Sequence, residues 1–304
     1  MFCSTIIPTI GRVTLARAVG SVLAQELAAD FEVILVNDSG APLAEAHWQR
    51  DPRVTLIETD RVERSLARNA GAAVARGRFL HFLDDDDLLL PGAWNALWQL
   101  QRESEAAWLY GAYRTVDNNG RLVEEIRAET IGNAFAPLVA GEGIPLQASL
   151  LRAETFAAVG GFDADPSLLG VEDRDLGRRI ALVAELAYTP ALVACVRIGR
   201  QGSTTDWTNL ARADRLGRER ALAAPGSLSR LRDSIASCRW HGQVRVAYWG
   251  GRVARAYVAS AVWNLAHRRV LTAMRRLLSA LAVAGSQVPR TDFRRGLRGP
   301  LVQG

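Results

Sequence analysis

Apolar residues come in short runs over the first 90 positions, and the runs alternate between two periods. MFCSTII at 1–7 reads as a buried strand ended by Pro8. Leu15, Val19, Val22 and Leu23 then share one face of a helix behind Thr14, a residue type that caps helix N-termini. FEVILV at 31–36 is a second strand and runs into the turn residues Asn37, Asp38, Ser39 and Gly40. VTLIE at 54–58 is a third. A helix follows over 65–76, stopped by Gly77, and FLHFL at 79–83 is a fourth strand. Pro91 suits the first turn of the next helix. Strands alternating with helices predict an α/β layer around a mixed, mostly parallel sheet.

From Trp108 onward WLYGAYRTVDNNGRLVEE gives two strands around a turn at Asn118, Asn119 and Gly120. Helices are predicted at 153–159 and 173–184, with a strand at 191–198. After Asp206 the pattern is helical, and APGS at 224–227 interrupts it. That break divides a domain at 1–223 from a helical region at 224–304.

Charge sharpens the division. Residues 1–211 hold 19 arginines against 28 acidic side chains, a net of −9, whereas 212–304 hold 18 against 4, a net of +14. Within the basic part, 244–284 sets arginines against apolar positions at helical spacing. Arg268 and Arg275 lie on one side, and Leu271, Met274, Leu278 and Leu281 on another. Trp249, Tyr257 and Trp263 are aromatic types favoured at lipid headgroups. Such a helix either lies on an anionic membrane surface, packs on the rest of the chain, or self-associates. No nucleic-acid motif accompanies the arginines, and the lack of any lysine reads as compositional bias.

Cys3, Cys195 and Cys238 lie far apart, which excludes a disulfide framework or zinc site and fits a reducing cytoplasm. The N-terminus lacks the basic and apolar regions of a signal peptide, and no run reaches about 18 apolar residues. The expected location is cytoplasmic, with peripheral attachment to the inner face of the membrane if the basic helices bind lipid.

The chemistry concentrates in GRFLHFLDDDDLLLP at 77–91, where four aspartates stand between two apolar runs. Adjacent carboxylates repel, and partial burial strengthens the repulsion, so a cation is expected beside them. In open α/β sheets ligands bind beyond the carboxyl ends of the strands. Pro8 and Thr9, then 37–39, then 84–87 all fall at such ends. GxGxxG and Walker A patterns are absent, so phosphate is not cradled by either loop. Mn²⁺ or Mg²⁺ between the carboxylates and a diphosphate satisfies both anions.

STIIPTIGR, VNDSG, ARNAGAAVARGRFLHFLDDDD and GGFDADPSLLGVEDRDLGRR, in that order, resemble the family 2 glycosyltransferases of GT-A fold over residues 1 to 205. The resemblance implies inverting transfer from a nucleotide sugar, most often a UDP-sugar, to a glycan or lipid-linked acceptor. It implies that Pro8, Thr9 and Asp38 contact the base, and that Arg68 lies near the nucleotide. Asp84 and Asp85 fall near the ribose, with Asp86 as metal ligand, while Glu172 and Asp173 form the catalytic pair with Asp173 as general base. Where many relatives carry a histidine after the last strand, this chain has Arg200, a candidate for neutralising the diphosphate. The segment 143–152 and the residues before Glu172 would form the acceptor wall.

Plain structural uses compete with these roles. Asp38 serves as a turn residue, Glu172 and Asp173 suit a helix N-terminus, and Arg68 and Arg200 suit surface positions. A nucleotidyltransferase would also join acidic metal sites to an α/β rim, and a sugar-nucleotide-binding scaffold would keep the motifs without turnover. The first needs a Gly-rich or basic loop after strand one, for which PTIGR is a poor candidate.

Overall fold

The computed structural model describes residues 1–199, 207–285 and 290–298. Its elements in chain order are β1 (Cys3–Thr9), α1 (Leu15–Leu23), β2 (Phe31–Asn37), β3 (Val54–Glu58), α2 (Arg64–Val74), β4 (Phe79–Phe82), β5 (Leu88–Leu89) and α3 (Ala93–Glu103). There follow β6 (Trp108–Val116), β7 (Leu122–Ile126), β8 (Thr130–Ile131), α4 (Phe135–Val139), β9 (Ser149–Arg152), α5 (Ala153–Ala158), α6 (Glu172–Val183) and β10 (Leu186–Arg197). The last are α7 (Trp207–Ala223), α8 (Ser227–Ser237), β11 (Arg239–Trp240), β12 (Gln243–Val244), α9 (Val246–Ala266), α10 (Val270–Ala284) and α11 (Thr291–Arg298).

One sheet runs in the order β3-β2-β1-β4-β9-β6-β10-β5, with β7 beside β6. β3, β2, β1 and β4 are parallel, as are β6 and β10, and β9 is antiparallel to both neighbours. The expected mixed, mostly parallel sheet is therefore present. Its buried strands read as near-continuous apolar runs because helices cover both faces. α1 and α3 seal one face through Val19, Val22, Trp94 and Leu97. Helices α2, α4 and α6 cover the other with Ala67, Phe135, Leu176 and Ile180.

Three local expectations are corrected. β1 does not stop at Pro8 but continues through it to Thr9. Leu83 N donates to Ile6 O and Asp38 N to Thr9 O, so even positions of β1 face β4. The β4 ladder ends at Ile6, and the N–H that Pro8 lacks has no partner to lose. Thr14 sits in helical conformation and its side chain makes no cap bond. Gly77 does not cap α2, which ends at Val74 with Ala75 extended; it serves a close approach, since a Cβ there would stand 2.4 Å from Ser4 N.

The helices after 224 are built into this structure. α9 contributes Trp249, Val253, Ala256 and Tyr257 to the same core as Phe135 of α4 and Ile180 of α6. Trp249 and Tyr257 are thus buried, which corrects their expected place at a lipid surface. Arg252, also buried, donates from Nη2 to Ala140 O at 2.6 Å. α10 is different: it buries Ala273 and Ala280 but leaves Leu271, Met274, Leu278 and Leu281 exposed, the first by 74%. None of the described helices is long and apolar enough to cross a membrane.

Candidate active site

A cleft of about 700 Å³ opens beyond the carboxyl ends of β1, β2 and β4. Pro8, Thr9, Asp38, Arg68, Asp84 and Asp85 all line it, together with Asp87 and Arg197. Residues distant in sequence converge here because the parallel strands end on one rim.

Arg68 is the centre of the arrangement. It projects from α2, is buried, and lies 5.2 Å from the ring of Phe162. Its Nη2 donates to Asp84 Oδ1 at 2.7 Å and its Nη1 to Glu172 Oε1 at 3.1 Å. Burial opposes its charge, but the carboxylates of Asp84 and Glu172 prevail and hold the guanidinium above its ordinary range. One side chain therefore ties the acidic run after β4 to the Glu-Asp pair that opens α6.

The acidic residues divide among partners. Asp85 accepts from Thr9 Oγ1 and from Arg12 Nη1, each at 2.6 Å. Asp87 accepts from Arg197 N at 2.7 Å, and burial together with the charge of Asp84 pushes its carboxyl up to about 8. Asp86 alone of the four does not line the main cleft. It faces an adjoining cavity of about 210 Å³ with Arg17, Arg114 and Arg197, and Arg197 also borders the main cleft.

Asp38 holds the neighbouring loop. Its Oδ1 accepts from Thr59 Oγ1 at 2.7 Å and Val62 N at 2.8 Å, and its Oδ2 from Glu63 N at 3.2 Å. Glu63 has φ 88° and ψ 151°, a region that costs roughly 1–3 kcal/mol in a residue with a side chain. The Asp38 carboxylate and the bond from Ser65 N to Glu63 Oε2 fix that conformation at the cleft wall.

Glu172 is buried, accepts from Gly170 N at 2.8 Å besides Arg68, and forms an ion pair with Arg64 Nε at 3.3 Å. Asp173 is half-buried in the first turn of α6, where the helix dipole favours negative charge. Burial and the neighbouring Glu172 nevertheless raise its pKa. Of the segment 143–152, Gln147 lines the cleft and donates to Asp84 Oδ2 at 3.2 Å. Leu150 and Leu151 are core residues of β9, so that segment is less a wall than expected. Arg200 lies outside the described residues.

Arg12, Glu63 and Arg197 were not singled out from sequence. For Arg12 the available signal is a cation three positions after Thr9, on the loop beyond β1. For Arg197 it is an arginine closing the last strand.

Residues 4–148 match the family model described as Glycosyl transferase family 2. The succinoglycan biosynthesis protein ExoO of Rhizobium meliloti is 42% identical over 108 residues, which cover 34% of this chain and 29% of that protein. The chain thus spans less than a third of that relative. An uncharacterised glycosyltransferase of Haemophilus influenzae is 27% identical over 223 residues, covering 69% of this chain and 74% of its own. The crystal structure of S. aureus TarS 1-349 in complex with UDP-GlcNAc superposes with a TM-score of 0.63 at 14% identity. That superposition covers 95% of this chain and 92% of the other, a likeness of fold.

Proposed function

We propose that this chain, a member of glycosyl transferase family 2 through its residues 4–148, transfers a sugar from a nucleotide-diphosphate sugar to an acceptor hydroxyl with inversion. The acceptor we propose is a glycan or lipid-linked glycan, in the synthesis of cell-surface polysaccharide. The carrying observation is the pair of hydrogen bonds from Arg68, which lines the cleft, to Asp84 and to Glu172, which join the acidic run after β4 to the Glu-Asp pair of α6. ExoO is named for succinoglycan biosynthesis, which supports a glycan product. TarS binds UDP-GlcNAc, which makes UDP-sugars the donors to try first.

In this reading Thr9 and Arg12 orient Asp85 toward the ribose, and Asp38 meets the base while it holds its loop. Asp173 takes the proton from the acceptor hydroxyl as that oxygen attacks the anomeric carbon from the face opposite the diphosphate. A raised pKa makes it a stronger base than an ordinary aspartate. Glu172, held by Arg64, Arg68 and Gly170 N, positions the first turn of α6.

The donor set suits Mn²⁺ or Mg²⁺ by its chemistry, since carboxylate oxygens are hard ligands. Among the described residues no three His, Cys, Asp or Glu side chains form a ready-made cage, so the fit is to an ion whose shell a diphosphate completes. We assign as its protein ligand Asp86, which borders the adjoining cavity that meets the main cleft at Arg197. When bound, the ion offsets charge on the departing diphosphate.

Mn²⁺ with UDP is expected to raise the melting temperature of the parent protein. Saturation at a hundredfold excess over Kd is worth about 2.7 kcal/mol. Asp86→Ala is expected to lose that metal-dependent gain. UDP binding equally well in the presence of a chelator would show the assignment to be wrong.

We also propose that α10 seats the enzyme on an anionic lipid surface. Its exposed Leu271, Met274, Leu278 and Leu281 form one stripe, and Arg268 and Arg275 beside it are exposed as well. Positive charge around an apolar face complements anionic headgroups. Flotation with anionic vesicles, weakened by salt and lost in Leu271→Ser/Leu278→Ser, is the expected result. A protein that ignores vesicles and sediments as a dimer would assign the stripe to a second copy.

A further inference from the structure

A second cavity, of about 610 Å³, adjoins the donor cleft, and Leu169 lines both. Its walls come from elements outside the parallel half of the sheet. α7 supplies Arg212 and Arg215, the C-terminal end of α9 supplies Trp263 and His267, and the turn before α6 supplies Ser167.

Trp263 is fixed by its surroundings. The His267 ring lies 4.2 Å away, its Nδ1 lies 2.8 Å from Trp263 O, and the Arg269 guanidinium carbon stands 5.5 Å from the indole centroid. Arg212 and Arg215 are exposed, lie three residues apart on one helix face, and make no ion pair among the described residues. The acidic residue between them, Asp214, is turned inward and bound to Arg178 and Arg218. The cavity therefore joins two unbalanced guanidinium groups to a half-buried indole. Guanidinium forks suit phosphate oxygens, and an indole face suits the C–H face of a sugar ring.

We infer that this cavity is the acceptor subsite and takes a phosphorylated glycan, with phosphate on Arg212 and Arg215 and the adjacent ring on Trp263. The inference rests on the proposed glycosyl transfer and adds the acceptor's chemical class. Leu169 separates the two sites, so a sugar passing over it would meet the donor's anomeric carbon.

The test measures binding of three probes to the UDP-loaded protein: an unphosphorylated hexose, hexose 1-phosphate, and that hexose joined by a diphosphate to a short prenyl chain. Both phosphorylated probes are expected to bind at least tenfold tighter than the bare hexose. Arg212→Gln/Arg215→Gln should remove that advantage, and Trp263→Leu should weaken every probe. UDP affinity on the same variants reports that the fold and donor cleft survive. Prenyl-linked probe far above hexose 1-phosphate identifies a lipid-linked acceptor, and equal binding identifies a soluble one. Equal affinities for bare and phosphorylated hexose in the parent, or unchanged affinities in the double variant, would overturn the subsite. Absent UDP binding in the parent would instead defeat the glycosyl-transfer reading itself.

Discussion

Asp173→Asn should bind UDP-sugar as the parent does and transfer about 10²–10⁴-fold more slowly. Asparagine keeps the shape of the side chain, and its carbonyl oxygen can still accept from Arg174 N, the bond that Asp173 Oδ1 makes at 2.7 Å. What it loses is the capacity to take a proton. The pH profile supplies a second readout. Burial and Glu172 raise the Asp173 pKa, and a base works only when deprotonated. The acid limb of kcat/KM should therefore lie above the ordinary carboxylate value of about 3.9 and disappear in the variant. Calorimetry with UDP and steady-state transfer rates check both halves. A rate within a few-fold of the parent would exclude Asp173 as the base.

The second large effect is on stability, at Asp214→Ala. Arg178 Nη2 and Arg218 Nη2 each donate to the Asp214 carboxylate at 2.5 Å, and all three side chains are buried. The arginines also reach α4, through Leu138 O and Val139 O. Removing the shared anion leaves two buried cations facing each other, which typically costs about 3–5 kcal/mol. α6 carries Glu172 and Asp173, so the same triad anchors the turn proposed to be catalytic. The pH dependence has a definite sign. Burial works against the Asp214 charge, but Arg178 and Arg218 outweigh it and its folded pKa lies below the unfolded one. Its stabilisation is then complete above the unfolded value of about 3.9 and is lost as pH falls through the folded value. Chemical denaturation at neutral and acid pH measures this, and a loss under about 1 kcal/mol at neutral pH would contradict it.

Reading the sequence succeeded where one side of an element decides its fate. β2 and β4 are mostly apolar, interrupted by Glu32 and Asn37 in one and His81 in the other, so composition marks them as buried strands. The turn at 117–120 was legible from Asn118, Asn119 and Gly120, and Gly120 N does donate to Asp117 O. α9 resisted the same reasoning. It buries Trp249 and Arg252 alike, so no polar face separates from an apolar one, and aromatic type alone suggested lipid contact. The site was legible as motifs and illegible as contacts. Arg68 meets partners 16 and 104 residues away, and Arg12 meets one 73 away. Pairings at such separations follow from strand order, which periodicity does not encode. The turn of the buried Asp86 away from the main cleft depends on how the 84–87 turn closes through Asp87 N to Asp84 O, a detail below the resolution of a motif.

The shared core of α9 with α4 and α6 would set the working reach of the proposed transferase. Trp249, Val253 and Tyr257 are packed among Phe135, Leu138 and Ile180, so the hairpin of α9 and α10 shares a core with the helices beside the candidate cleft. With α10 seated on a surface as proposed, the cleft would be held above it at one height and one angle. Under the proposed docking, acceptor hydroxyls at one height would be reached and others missed, so bond position along a growing chain would be set by geometry. Lengthening the link between α7 and α8 would not lift the active site to a new height.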